Sequence, residues 1–215
     1  MELELDYQAR GTRIITGEES KDRRYFLNRL ISIAESNGFE EIQLPTIEPS
    51  EIYINKAGKE ITNQMYIFPD KKGRNLCLRP EVTATIQLIG KRYWDKKEKK
   101  LWYFERCYRY EKPQAGRYRE FYQFGCEIIN PKDKFIKEFL IDLSREMIDN
   151  RTSNYIISHS VKRGLDYYIE EGFEIICPEL GSQKQVCGGG RYSNGIGFAI
   201  GFDRLMLCKP KSTFS

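Results

Sequence analysis

Histidine is almost missing from this sequence: the chain has 215 residues and a single histidine, His159. Six cysteines are present, Cys77, Cys107, Cys126, Cys177, Cys187 and Cys208, but no two stand in a Cys-x-x-Cys pair. A zinc site with the usual ligand spacing is therefore not expected. The N-terminal MELELDYQAR is acidic and has no apolar core, so it does not read as a secretory signal. Without one, the cysteines read as buried thiols of a reducing cytoplasm. No run of 18 apolar residues occurs, which excludes an ordinary transmembrane helix. No Gly-x4-Gly-Lys-Ser/Thr loop occurs either, so a bound nucleotide would not sit in a P-loop. Repeats and low-complexity linkers are absent. The net charge is only +4. It permits contact with phosphates without the strong basic stripe of a dedicated nucleic-acid binder.

What remains is ordinary globular composition, 40% hydrophobic and 31% charged. The length suits one sizeable domain spanning 1–215. Ser20 is placed to cap a helix running to about Asn37, stopped by Gly38, with Phe26, Leu30, Ile33 and Ala34 as its apolar stripe. EEIQLP reads as a short strand ending at Pro45. Residues 46–64 read as a loop-helix segment, and MYIFPDKKGRNLCLRP as a hairpin around an Asp-Lys-Lys-Gly turn. A helix follows from Glu81 to about Tyr93. LWYFERCYRY, 101–110, is strongly β-prone. Residues 133–149 are helical by pattern, with Phe135, Phe139, Leu143 and Met147 at spacings of four. Strands are expected at 155–157, 172–177, 185–187 and 197–200, with Gly188 to Gly190 breaking the third. FDRLMLC forms a closing helix. Hairpins with inserted helices give an α+β fold on a mainly antiparallel sheet rather than a βαβ nucleotide fold.

The chemistry concentrates in YRYEKPQAGRYREFYQFGCEI, residues 108–128. Arg109, Arg117 and Arg119 surround a Pro-Gln-Ala-Gly turn. Three guanidinium groups so close together suit a polyanion, because their planar forks match phosphate oxygens. The alternative is surface pairing with Glu111 and Glu120. Beyond the turn, alternation puts Phe121, Gln123, Gly125 and Glu127 on one face and Tyr122, Phe124, Cys126 and Ile128 on the other. The second face is the core side. The first is either solvated or a ligand floor. Buried Gln and Glu need partners, and a mid-strand glycine often marks a close approach by a ligand. An amine or imidazole N–H would satisfy Gln123 and Glu127. Phosphate-binding and amine-binding groups on one hairpin fit an amino acid held next to ATP.

These residues carry a resemblance to the class II aminoacyl-tRNA synthetases, and to the histidyl-tRNA synthetase family in particular. RYEKPQAGRYREFYQFGCE resembles the second class motif, LPTIEPSEIY the first and GFAIGFDRL the third. RGLDYY at 163–168, LGSQKQVCGGGRY at 180–192 and LRPEVTA at 78–84 resemble segments of the histidine enzymes. The likeness runs from about Arg10 to Leu207. It implies a class II synthetase-like catalytic domain that activates histidine with ATP, then passes it to a tRNA acceptor end or another acceptor.

By the same resemblance, Arg109 would hold the α-phosphate and Arg117 the terminal phosphates, with Arg119 also at the nucleotide. Phe121 would stack on adenine, and Arg204 would clamp the nucleotide from the other side. Glu81, Thr83 and Gln123 would bind the amino and carboxylate end of histidine. Glu127, Tyr168 and Tyr192 would surround the imidazole. Arg163 would neutralise the α-phosphate where a base or metal might have stood. Arg109, Arg163 and Arg204 would thus carry the catalysis. The resemblance further implies Mg²⁺ on the β- and γ-phosphates with no protein ligand, a homodimer formed through the first motif, and a cytoplasmic location. Glycines 188–190 would let backbone approach the bound histidine.

Plainer readings stand beside these. Glu81 reads equally as a first-turn helix carboxylate facing the dipole. Tyr167 reads as core, Asp166 as structural, and Arg204 as a partner for a surface acid. Arg163 and Tyr168 share a face only if a bulge intervenes, at Gly164 for instance. The chain departs from the family pattern in three places. Only a short segment separates Glu127 from Arg163, where the family carries an insertion domain. The sequence stops at Ser215, where the family continues into an anticodon-binding domain. RGTRIITG replaces the usual loop after the Arg-Gly pair. A non-catalytic histidine-sensing paralogue, like the regulatory subunit of ATP phosphoribosyltransferase, is the alternative, and an excised core of a longer protein a third reading.

Overall fold

The computed structural model describes residues 8–54, 61–133, 135–161, 168–181 and 184–210. Arg163, Gly164, Asp166 and Tyr167 lie outside them, so their expected roles stay outside the structure. Helix α1, Gly17–Ser36, starts earlier than the expected cap at Ser20. Gly17 takes φ +60, Thr16 is extended, and Glu18 and Glu19 occupy the first turn, where the helix dipole favours carboxylates. Ser20 is thereby inside the helix, its N–H bonded to Thr16 O. Gly38 does stop the helix, at φ +79, and the stripe Phe26, Leu30, Ile33 and Ala34 is buried as expected.

The main sheet has seven strands in the order β1 (Glu40–Glu41), β5 (Lys99–Tyr108), β6 (Glu120–Ile129), β10 (Gly195–Gly201), β9 (Gln185–Tyr192), β8 (Gly172–Ile176), β7 (Ile156–Val161). Strand β1, Glu40–Glu41, pairs in parallel with β5, Lys99–Tyr108; every other neighbour pairs antiparallel. The sheet is therefore mainly antiparallel, flanked by helices, as the α+β expectation required. The strand expected from EEIQLP is cut short because Leu44 leaves the ladder, its N–H going to the Glu105 carboxylate instead. Segment 46–64 contributes a strand, β2 (Ile47–Pro49), and a short helix, α2 (Glu51–Ile54). With the expected hairpin β3 (Tyr66–Pro69) and β4 (Asn75–Leu78), β2 forms a separate three-stranded sheet.

Helix α3, Thr83–Tyr93, covers one face of β5 and β6 (Glu120–Ile129). Val82, Ile86, Leu101, Tyr103, Cys107, Ile129 and Tyr192 form a small core there. On the opposite face lies the large core, which includes Phe124, Cys126 and Ile128 from β6 together with residues of α1 and of α4, Ile136–Asp149. Each such fully buried aliphatic or aromatic side chain contributes about 1.5–3 kcal/mol. The expected face of Tyr122, Phe124, Cys126 and Ile128 is thus the main core side. In α4 the expected Phe135 is not part of the stripe. It precedes the helix and is 73% exposed, and Ile136 takes the inward place.

Strands β7 (Ile156–Val161), β8 (Gly172–Ile176), β9 (Gln185–Tyr192) and β10 (Gly195–Gly201) complete the sheet. Gly188 to Gly190 do not break β9, which pairs with β10 through all three. They keep the ladder while making room for neighbours. A Cβ at Gly189 would overlap the Phe173 ring, and one at Gly190 the Tyr168 ring. The chain closes with a short helix, α5, Phe202–Leu205.

Candidate active site

The hairpin register explains how the site is built. Leu101 pairs with Glu127, Tyr103 with Gly125, Glu105 with Gln123 and Cys107 with Phe121. The expected polar face of β6 therefore lies beside a row of side chains from β5 and beneath the start of α3. Gly125 is required by Tyr103, whose ring fills the space a Cβ would occupy. The glycine was expected to admit a ligand; it admits a neighbouring ring instead.

Glu127 is only 1% exposed, so the strand face is buried at this end rather than open. Its carboxyl is fully partnered. Thr83 Oγ1 donates to Oε1 at 2.6 Å, and the Tyr192 hydroxyl donates to Oε2 at 2.9 Å. Gly197 on the facing strand leaves room for that carboxyl, which a Cβ would strike. Burial pushes the Glu127 pKa up to about 8, against the lowering effect of the two hydroxyls.

The stability consequence has a definite sign. The folded state holds a proton that the unfolded state releases near pH 4.5. Stability from this group is complete below that pH and is lost as pH rises to about 8. Unfolding followed by denaturant from pH 5 to 8 should show wild type losing up to about 1.4 kcal/mol per pH unit relative to Glu127→Gln. Parallel pH profiles for the two proteins would refute the buried neutral carboxyl.

A cavity of about 310 Å³ opens beside this end of the sheet. Of the expected site residues, Glu81, Thr83, Arg109, Arg117, Phe121, Gln123, Tyr168 and Arg204 line it. Glu127 and Tyr192 do not; both are buried, Glu127 bonded to Thr83 and Tyr192 bonded to Glu127. Tyr168 joins them through a β-bridge to Tyr192. Arg119 does not line the cavity either. Its Nε donates to Glu111 O at 3.0 Å, and its guanidinium lies 4.0 Å from the Tyr110 ring centre.

Glu81 stands just ahead of α3 rather than in its first turn, though it still faces the helix N-terminus as its plainer reading expected. Its carboxylate accepts the N–H groups of Thr83, at 2.7 Å, and Ala84, at 3.0 Å, at the start of α3. Arg109 Nε donates to Pro80 O at 2.9 Å, and its guanidinium sits 5.3 Å from the Phe121 ring centre. Arg117 is ion-paired with Glu111, so the surface-pair alternative holds for it in this state. Among the described residues, Arg204 has no acid as partner. It donates to Gly116 O at 2.9 Å and to Gln185 O at 2.6 Å. Burial, with Arg109 and Arg117 nearby, pushes its pKa down to about 10, so Arg204 remains a cation at neutral pH. Cations gathered on one cavity favour an anion such as a phosphate.

Sequence reasoning missed Tyr103, Arg13 and Asp203. Tyr103 could have been found by setting β5 against β6, where an aromatic falls opposite Gly125. Asp203 offered no signal beyond standing next to Arg204. The carboxylates at the cavity do not fit a protein-held metal. Glu81 is occupied by backbone N–H groups, Glu111 by Arg117, and Asp203 by two arginines. Among the described residues no cluster of three potential ligands occurs.

This arrangement, a mainly antiparallel sheet with helices around a site of arginines and a buried carboxyl, is the class II synthetase core. A solved structure of apo histidyl-tRNA synthetase from S. aureus superposes with a TM-score of 0.78 at 26% identity, covering 94% of this chain and 70% of that one. A histidine–tRNA ligase of Archaeoglobus fulgidus is 30% identical over 303 residues, covering 91% of this chain and 74% of the relative. That aligned stretch exceeds the 215 residues present here, so the relative carries internal residues with no counterpart in this chain. The same fold occurs in a Bacillus halodurans protein described as an ATP phosphoribosyltransferase regulatory subunit/histidyl-tRNA synthetase, at 17% identity and a TM-score of 0.77. The histidyl-tRNA synthetase family model matches residues 11–149. The chain belongs to the histidyl-tRNA synthetase family.

Proposed function

We propose that the chain activates histidine with ATP. A histidine carboxylate oxygen attacks the α-phosphorus, the bond to the bridging oxygen breaks, and pyrophosphate leaves with the electron pair. Attack of one anion on another needs charge cancelled and reactants aligned more than it needs proton transfer. The observation that carries this reading is the convergence of Arg109, Arg117 and Arg204 on one cavity that also reaches Thr83 and Gln123. Guanidinium forks stay charged and match phosphate oxygens. Phe121, beside Arg109, offers a face for adenine. Gln123 and Thr83 would take the amino-acid end, with Glu127, Tyr168 and Tyr192 towards the imidazole. Arg163 would add a further cation at the α-phosphate. Mg²⁺ would enter on the phosphates of ATP. The activated histidine would pass to a tRNA acceptor end or to another acceptor, in the cytoplasm.

A homodimer through the first motif is part of the same reading. It is supported by Ile47, in that stretch, and Ile54, just after it, which are 52% and 47% exposed. The experiment is pyrophosphate exchange into ATP across the twenty amino acids. Exchange is expected with histidine alone. Activity with a different amino acid would overturn the specificity. Histidine binding without exchange would favour the sensing paralogue.

A further inference from the structure

Residues 10–13 have no part in the chemistry just described, yet they are built into its loop. The Arg119 N–H donates to Gly11 O at 2.8 Å. Gly11, at φ +86, sits so close to Arg119 and Pro113 that a Cβ would crowd both side chains. The Arg13 guanidinium lies 4.3 Å from the Tyr118 ring centre. Its Nη2 donates to Asp203 Oδ1 at 2.6 Å, and its Nη1 to Glu19 Oε1 at 3.2 Å.

Asp203 is the residue before Arg204 and is buried. Besides Arg13, its Oδ1 takes Arg23 Nη2 at 2.9 Å, and its Oδ2 accepts the Tyr122 N–H at 2.5 Å. Arg204 in turn holds Gly116 O. The contacts close a ring, from Arg13 to Asp203, along the chain to Arg204, across to Gly116, through Arg117 to Tyr118, and back to Arg13. The loop bearing Arg117 is pinned from both sides. Arg13 itself does not line the cavity, whereas Tyr118, Asp203 and Arg204 do.

We propose that Arg13 is a positioning residue for the nucleotide. Through Tyr118 and Asp203 it sets Arg117 and Arg204 in the spacing that receives the phosphates. The inference rests on the nucleotide reading of the cavity. Arg13 has the geometry for the task, since one guanidinium can stack on a ring and donate from its edge to carboxylates at the same time. The histidine end of the site, at Glu127 and Thr83, is not part of this ring.

The test is calorimetric binding of ATP with Mg²⁺, and separately of histidine, with the KM values of exchange. Arg13→Gln is expected to weaken ATP roughly five- to twentyfold in Kd and KM, with histidine Kd within twofold. Arg13→Lys keeps the charge towards Asp203 but not the flat stack, and should fall between. Tyr118→Leu removes the stack alone and should also weaken ATP, giving a second measure if Arg13→Gln folds poorly. Unchanged ATP affinity in Arg13→Gln and Tyr118→Leu would overturn the inference alone. Equal losses for ATP and histidine would overturn it too, by showing a general structural role. No ATP binding by wild type would remove the nucleotide reading and this inference together.

Discussion

Arg204→Ala is expected to lower kcat/KM for histidine-dependent pyrophosphate exchange by a factor of about 100 to 1,000, the range for deleting one preorganised stabilising group. Two losses combine. On the proposed reading, a cation that would face developing phosphate charge disappears from a part-buried position, where electrostatic interactions exceed those in bulk water. The loop contact at Gly116 O and the strand contact at Gln185 O disappear with it. Arg204→Lys should recover little of the rate. An ammonium restores one charge but cannot serve a phosphate and two carbonyls in one plane. Histidine affinity should change little, because the Thr83–Glu127–Tyr192 group makes none of these contacts. Exchange within threefold of wild type in Arg204→Ala would remove Arg204 from the mechanism.

The second large effect is on folding. Arg79 is wholly buried. Its guanidinium donates to the carbonyls of Leu44, Pro45 and Arg106, and it forms a 2.6 Å ion pair with Glu105. The arginine thereby stitches the segment after β1 and the β4–α3 connection to β5. Arg79→Ala should cost about 3–5 kcal/mol, because it strands a largely buried carboxylate as well as three carbonyl oxygens. At about 2–4 °C per kcal/mol for a chain of this size, the melting midpoint should fall by at least about 6 °C. The double variant Arg79→Met with Glu105→Leu should recover only part of that loss, since it deletes both charges and keeps volume but leaves the three carbonyls and the Leu44 N–H without these partners. Arg79→Ala melting within 2 °C of wild type would show that this ion pair is not buried as described.

Much of this architecture was legible in the residues. Period-3.6 patterning located α1 and α4, and period-2 alternation told the core face of β6 from the site face. Those signals are local and depend only on the chain's own geometry. Gly38 as a helix stop and the hairpin turn at Asp70 were equally local. The failures came where tertiary contact decides. The β9 glycines looked like a break, yet they are sites where Phe173 and Tyr168 need the space. Gly125 suggested a ligand, yet Tyr103 from another strand fills its place. Phe135 fitted the apolar spacing but fell one residue outside the helix. The cavity set was legible as a constellation of arginines, but pairing was not. Only the folded arrangement shows that Arg117 meets Glu111, that Arg119 turns to Tyr110, and that Glu81 caps a helix.

All six cysteines are buried, and none forms a disulfide among the described residues. Covalent thiol chemistry is consequently silent on the native chain and abundant on the opened one. Each labelling event becomes a timestamp of exposure, and the peptide that carries it tells which layer of the sheet came apart.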